Sequence, residues 1–445
     1  MAGLLERNYT LKAHPAQCEY AKCGERFIIN HSGRRSGKSE IAKRKLVYRA
    51  CTFHAFPDGR FFACAPVQHQ AERIYWNDLK AMVPRELVVS VSESDCTIKL
   101  VNGAMIGVVG LDKPERIEGA PIDGVLLDEF ADMKPDVWTR HIRPGLSTPG
   151  RPGWAMFIGV PEGRNHFYEL CERARQGLPG WRVFHWPSWE IVDPDEVAAA
   201  KSELDDLTFR QEYGGEFVNF EGRAYYSFDQ KLHVVDWLEY DPALPINFCF
   251  DFNVDPGVAV VCQEQRYRGP RLDMADTFTA CLGEVYIERN SNTERVCGQL
   301  AKEWRGHLTD VRCYGDASGG ARKSSAVMGS DWDLIRQALK PVFGDRLAVI
   351  VPRANPPERV RINAVNSRLL SADGKVKMLI QGGKEGCPRL IKDLDGVTLT
   401  PDGSGQLDKK VSPALTHISD ALGYHIAKCY PVRGGEAWAA GPLQL

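Results

Sequence analysis

One heptapeptide, Gly33-Arg-Arg-Ser-Gly-Lys-Ser39, constrains the fold of this chain more than any other feature. It satisfies the pattern G-x-x-x-x-G-K-[ST], directly follows the apolar run Phe27 to Asn30 and opens an amphipathic stretch from Ser39 to Tyr48. A strand, a glycine-rich turn and a helix in that order make a phosphate-binding loop. The glycines let backbone N–H groups close round phosphate oxygens, Lys38 brings a point charge to the β and γ phosphates, and the Ser39 hydroxyl is placed to ligate Mg²⁺. Gly33, Arg34, Arg35, Ser36, Gly37, Lys38 and Ser39 are the expected cradle for ATP, with Mg²⁺ as its companion ion.

Such a loop works with carboxylates at the end of a neighbouring strand. The apolar run Gly124-Val-Leu-Leu ends in Asp128-Glu129, and a carboxylate pair closing a buried strand is costly unless metal binding or catalysis uses it. Asp128 is read as holding Mg²⁺ through water, and Glu129 as polarising the attacking water. Arg34 and Arg35 in the loop are candidates for charge stabilisation at the γ phosphate. Arg116, in Glu115-Arg-Ile-Glu-Gly119, is another, as an arginine finger supplied to a neighbouring subunit. Upstream, the amide of Gln17 can pair with both adenine N6 and N7.

From Phe27 to about Pro187, short apolar strands alternate with amphipathic stretches, which predicts an α/β fold with a parallel sheet flanked by helices. The strands are Phe27-Ile-Ile, Phe61-Phe-Ala-Cys, Gly124-Val-Leu-Leu, Ala155-Met-Phe-Ile-Gly and Trp181-Arg-Val-Phe. A polar helical segment from Asp193 to Tyr213 follows, and strands return at Ile246-Asn-Phe-Cys-Phe-Asp-Phe, Val258-Ala-Val-Val, Val311-Arg-Cys-Tyr and Leu347-Ala-Val-Ile-Val. Asp373-Gly374, between Leu369-Leu370 and Val376 to Ile380, reads as a hairpin turn, and Pro401-Asp-Gly-Ser-Gly as a second turn. A last helix is expected from about Ala414 to Ala427. The expected division is a nucleotide-binding domain over 1–192, linker or lid helices over 193–240, a second α/β domain over 241–430 and a loose tail over 431–445.

Composition narrows the function classes. With 445 residues, 43% of them hydrophobic, the chain can bury two or three cores. No apolar run approaches the roughly 18 residues of a membrane span, and Met1 to Arg7 lacks an apolar signal core, so no membrane partner and a cytoplasmic location are expected. Thirteen cysteines without a C-x-x-C pair fit reduced core thiols. A net charge of -2 excludes blanket basicity, so any nucleic-acid contact must be local.

The second domain carries carboxylates of another kind. Asp251 lies inside the apolar run Phe248-Cys-Phe-Asp-Phe, Asp316 ends Val311-Arg-Cys-Tyr-Gly-Asp, and Asp420 shares a helical face with His417 at i, i+3. Acidic groups on a first strand, a later strand and a final helix are the arrangement of RNase H-like nucleases, which hold two Mg²⁺ or Mn²⁺ ions about 4 Å apart. Asp251, Asp316 and Asp420 are the expected metal ligands and catalytic groups. His417 reads equally as a group orienting a carboxylate or as a packing residue. Glu284 and Glu288 are candidate fourth ligands, and Arg322, Lys323, Arg353, Arg359, Arg361 and Arg368 are candidates to line a DNA path.

A phosphate loop, Leu-Leu-Asp-Glu and a three-aspartate centre in one chain resemble the large terminase family of tailed bacteriophages and related viruses. Phe209-Arg-Gln-Glu-Tyr-Gly-Gly-Glu-Phe217, Tyr314-Gly-Asp-Ala-Ser-Gly319 and Leu415-Thr-His-Ile-Ser-Asp-Ala-Leu-Gly-Tyr424 are similar to family signatures. The resemblance implies an ATPase that drives viral double-stranded DNA through a portal protein into a procapsid, and a metal-dependent endonuclease that cuts concatemers. It also implies a small terminase partner, self-association as a ring on the portal, and a location in the host cell cytoplasm and transiently on the procapsid. One departure stands out: the family's coupling motif usually carries Ser or Thr, whereas the strand here ends Ile158-Gly-Val-Pro161. A repair or recombination ATPase-nuclease, an RNase H-like transposase and a non-enzymatic DNA-binding scaffold are the rival readings.

Overall fold

All five residues of Phe27–His31 are buried, as a strand covered on both faces requires. The computed structural model of the protein describes residues 14–218, 222–252, 255–320, 330–400, 405–409 and 415–432. In it the chain divides into two compact units, Met1–Val197 with Arg210–Asn219, and Ala198–Phe209 with Phe220–Leu445. Segment 193–240, expected as a linker, is thus shared out between both.

Unit 1 is built on strands β1 (Phe27–His31), β2 (Arg60–Ala65), β3 (Val88–Ser92), β4 (Thr97–Leu100), β5 (Met105–Gly110), β6 (Gly124–Leu127), β7 (Trp154–Gly159) and β8 (Trp181–Phe184). Their order is β8-β1-β7-β6-β2-β5-β4-β3. Neighbours from β8 to β5 run parallel, and β4 and β3 add an antiparallel edge. Alternation along β1 sends Ile28 into one core cluster and Phe27 and Ile29 into another. Each such side chain contributes about 1.5–3 kcal/mol of burial, which pins the strand that delivers the phosphate loop. Helix α1 (Pro15–Lys22) precedes β1 and α2 (Lys38–Cys51) follows the loop. The Lys45 ammonium of α2 donates to the carbonyls of Tyr20, Ala21 and Cys23 at 3.2, 2.9 and 2.6 Å, so it closes the carboxyl end of α1.

Unit 2 has strands β9 (Val234–Val235), β10 (Ile246–Asp251), β11 (Gly257–Arg266), β12 (Met274–Ile287), β13 (Val311–Tyr314), β14 (Leu347–Val349) and β15 (Val376–Gln381), in the order β9-β15-β12-β11-β10-β13-β14. β10, β11 and β12 form an antiparallel meander, flanked by parallel pairs on either side. Helices α3 (Glu358–Leu369), α4 (Pro388–Gly396) and α5 (His417–Cys429) carry or support its polar residues. Leu369 closes α3, so Asp373-Gly374 joins a helix to β15 and is not the hairpin expected. The helix dominates because α3 buries residues all round, a pattern that periodicity-2 reading of Leu369-Leu370 misses. Arg322, Lys323, residues 401–404 and the tail from 433 onward lie outside the described residues.

No helix among the described residues is long and apolar enough to cross a membrane. All thirteen cysteines are free thiols.

Candidate functional site

In unit 1 the loop between β1 and α2 is held by side chains from distant parts of the chain. Gln17, on α1, donates its amide to the Ser36 carbonyl at 2.7 Å, and the Trp186 indole donates to the same carbonyl at 2.9 Å. Gln17 in this state supports the loop backbone. Ser188 donates to the Arg34 carbonyl at 2.5 Å, and the Arg34 amide donates to the Glu212 carbonyl at 2.7 Å. The stretch around Glu212 passes so close that a Cβ on Gly33 would meet the Tyr213 carbonyl oxygen at 2.2 Å. Gly33 is therefore required for close approach as well as for turning. Arg35 and Gly37 adopt left-handed backbone, at φ 58 and 80.

The carboxylates stand where the sequence placed them. Asp128 is 2% exposed and accepts the Ser39 hydroxyl at 3.2 Å and the Tyr75 phenol at 2.5 Å. Burial, with the Glu129 charge next in weight, pushes its carboxyl up to about 6. Glu129 follows in a left-handed conformation, φ 49, that turns the chain out of β6. A Cβ on Gly159 would lie 3.3 Å from the Glu129 Cα, so the departure from Ser or Thr at the end of β7 leaves room beside Glu129. The Ser36 hydroxyl is buried and has no partner among the described residues. An unfilled donor in a glycine-lined loop, beside a lysine, fits a phosphate oxygen, and the Ser39–Asp128 pair supplies the oxygen ligands Mg²⁺ prefers.

The arginines divide. Arg34 is ion-paired to Glu212, whose side chain is 7% exposed against 42% for Arg34. Arg35 is exposed. Arg116 is bound at the surface by Gln68 at 2.9 Å, within 4.0 Å of Asp112. Tyr75, Glu212, Trp186 and Ser188 escaped sequence reasoning. Only Glu212 had a signal, since it lies in the Phe209 to Phe217 stretch.

In unit 2, Asp251 ends β10 and Asp316 follows β13, adjacent parallel strands in which Cys249 aligns with Tyr314. Helix α5 brings Asp420. The three are 9%, 8% and 6% exposed. The Tyr424 phenol, on the same helix as Asp420, is pushed up by burial and by the charges of Asp251, Asp420 and Asp316. His417 lies 3.2 Å from Asp251, and that hydrogen bond raises the imidazole above its ordinary range. Arg361 donates to Asp420 at 2.6 Å. Asp393, 3% exposed, accepts the amides of Thr416 and Ser419 at 3.0 and 3.2 Å and so anchors the first turn of α5.

Two expectations change. Glu284 accepts the amides of Arg389 and Leu390 at 2.8 and 2.9 Å, which makes it the cap of α4. Arg361 and Arg368 are buried, at 5% and 7% exposure, and do not line a DNA path. Arg368 is consumed by Glu264, by Thr279 and by the Tyr430 ring at 3.9 Å. Arg353 is exposed and Arg359 half-buried. Finally, no group of three or more His, Cys, Asp or Glu among the described residues is arranged to hold a metal ion. The aspartates are the right chemistry for Mg²⁺ or Mn²⁺, but as they stand they do not form a finished donor set.

No protein-family model matches the chain. Among curated proteins it is 29% identical over 256 residues to the large terminase subunit of Thermus phage G20c, covering 50% of this chain and 52% of that protein. It is 30% identical over 256 residues to the large terminase subunit of Thermus virus P23-45, with the same coverage. The chain is related to phage large terminase subunits. It spans about half the length of the curated relatives it matches. The large terminase of the thermophilic bacteriophage D6E, solved with ADP, has the same fold at a TM-score of 0.57 and 15% identity, over 93% of this chain and 98% of that one. Both units thus share the α/β fold of that solved structure.

Proposed function

We propose that this chain couples ATP hydrolysis to movement of viral double-stranded DNA into a procapsid, and that unit 2 cuts the same DNA. The observation that carries the first half is the phosphate loop: Lys38 on the loop, Ser39 at 3.2 Å from Asp128, and Glu129 directly beyond. In this reading the loop amides and Lys38 would bind the triphosphate, and Ser39 and Asp128 would hold Mg²⁺, which would supply charge neutralisation at the phosphates. Glu129 takes the position that orients and polarises water for attack. Arg34, Arg35 and Arg116 are the candidates for charge stabilisation, with Arg116 exposed as a group offered in trans must be.

The second half rests on Asp251 and Asp316 at the ends of adjacent strands, and on Asp420 in the helix whose His417 lies 3.2 Å from Asp251. Sequence relationship to large terminase subunits supports the biological setting: a portal protein, a small terminase subunit and a ring of copies at the procapsid, in the host cytoplasm.

The test is ATP hydrolysis and plasmid cleavage, each with Mg²⁺ and Mn²⁺, by the parent, Glu129→Ala and Asp251→Ala, with folding checked by circular dichroism. Glu129→Ala should lose roughly 10²–10⁴-fold in hydrolysis and keep cleavage. Asp251→Ala should do the reverse. A parent without either activity, or variants indistinguishable from it, sinks the reading.

A further inference from the structure

Asp420 already holds a cation of the chain itself. The Arg361–Asp420 pair at 2.6 Å is nearly fully enclosed, its side chains 6% and 8% exposed. The Tyr424 ring and the helix backbone lie against the arginine, while its Nε is buried with no hydrogen-bond partner among the described residues. The guanidinium lies 4.5 Å from the centre of the Tyr424 ring, and a Cβ on Gly423 would come within 2.6 Å of the arginine stem. Glycine inside a helix is otherwise an unfavourable choice, so α5 gives up helix propensity at the place where Arg361 passes. Beside this pair, Asp251 faces His417 at 3.2 Å. The donor set that a divalent ion needs is not gathered among the described residues.

An enclosed carboxylate needs a counter-charge or a proton, since an uncompensated buried ion is among the most destabilising defects a fold can contain. Asp420 can be satisfied by Arg361 or by a divalent ion. Both together on the same carboxylate oppose each other, because like charges a few ångströms apart in an enclosed place repel strongly. The contact is made by a single nitrogen, Nη2, on one oxygen of Asp420.

We infer that Arg361 is a tethered counter-ion of the acid cluster. It occupies Asp420 in the metal-free state and must leave that carboxylate for a divalent ion to bind, so it sets the metal concentration at which the centre loads. It is a positioning residue, acting through Asp420. The inference rests on the nuclease reading of unit 2, and it gives that reading a resting state in which no cutting centre is assembled.

The experiment measures Mn²⁺ binding by calorimetry, and melting temperature with and without Mn²⁺, on the full chain without nucleotide or DNA. Compared are the parent, Arg361→Gln, Asp420→Asn and the double variant. Arg361→Gln should melt below the parent without metal, regain that loss in Mn²⁺, and bind Mn²⁺ about tenfold or more tightly. Asp420→Asn should abolish the metal-dependent rise, alone and combined with Arg361→Gln. If folded Arg361→Gln binds Mn²⁺ no tighter than the parent, Arg361 is purely structural and the inference is overturned. Should Arg361→Gln fail to fold, Arg361→Met keeps an unbranched stem and removes the charge, and it carries the same test: tighter binding supports the inference, equal or weaker binding overturns it. Loss of the nuclease reading would show separately, as absence of Asp251-dependent plasmid cleavage by the parent, because the binding measurement contains no DNA.

Discussion

The Tyr75 phenol donates a 2.5 Å hydrogen bond to Oδ2 of Asp128, the oxygen that the Ser39 hydroxyl also approaches at 3.2 Å. Tyr75 is fully buried, on a π-helical turn, Glu72–Trp76, between two short α-helices. Such turns insert an extra residue and re-aim side chains, and they recur at functional sites. Asp128 also accepts the Glu129 amide on Oδ1 at 3.0 Å, so both its oxygens are fixed.

Tyr75→Phe keeps the ring and its contact with Lys43 at 5.2 Å but deletes the donor. Partners that orient a metal-holding carboxylate are worth about 10–100-fold. Steady-state ATP hydrolysis should therefore show a fall of roughly that size in kcat with little change in KM, and a melting temperature close to the parent's. A KM effect alone would make Tyr75 a packing residue of the loop.

Arg34 and Glu212 predict an asymmetry. Glu212 is the enclosed partner and Arg34 the exposed one. Arg34→Ala strands a buried carboxylate and should cost about 2 kcal/mol in urea denaturation. Glu212→Gln returns a half-exposed guanidinium to water and should cost less than about 1 kcal/mol. The double variant should recover part of the Arg34→Ala loss. Equal costs would mean that the pair contributes through packing alone.

These two relationships mark what a sequence can and cannot reveal. Gly33 to Ser39 and Asp128-Glu129 were legible because their chemistry dictates both residue type and position: a glycine-lined turn, a lysine, a hydroxyl, and carboxylates closing an apolar strand. Asp251, Asp316 and Asp420 were legible as acids in apolar surroundings. Tyr75 was not, because a tyrosine between Ile74 and Trp76 reads as the core face of an amphipathic helix, and the π-turn that aims it has no composition of its own. Arg361 and Arg368 read as candidates to line a DNA path, since burial of an arginine depends on a partner remote in sequence, Asp420 for one and Glu264 for the other. Strands β3 and β4 went unseen as well: β3, Val88-Val-Ser-Val-Ser92, is largely exposed although three of its five residues are valines.

Glu284 gives a discriminating case. Both its oxygens accept amides at the start of α4. Glu284→Ala should cost about 1–2 kcal/mol as loss of a helix cap, while Mn²⁺ affinity stays at the parent's value. A fall in metal affinity without loss of stability would return it to the ligand set.

His31 supplies a pH signature for unit 1. Its Nδ1 lies 2.9 Å from the Gly215 carbonyl and its Nε2 lies 2.6 Å from an Arg175 nitrogen, which only donates. The ring is thus a neutral Nδ1–H tautomer, and protonating Nε2 would set two donors against each other. Burial, aided by the nearby His185 and Arg175, pushes the imidazole down from 6.5 to about 3. Between those values the unfolded chain carries a proton at this position that the folded one does not. Stability therefore falls as pH drops below 6.5, by about 1.4 kcal/mol per pH unit from this group. His31→Asn removes the titration along with the contacts. It should be the less stable protein at pH 7.5, and the parent should lose its advantage progressively between pH 6.5 and 4. Urea midpoints across that range measure the difference directly. A gap independent of pH would mean that the folded protein accommodates a charged His31, against the contacts with Arg175 and Gly215.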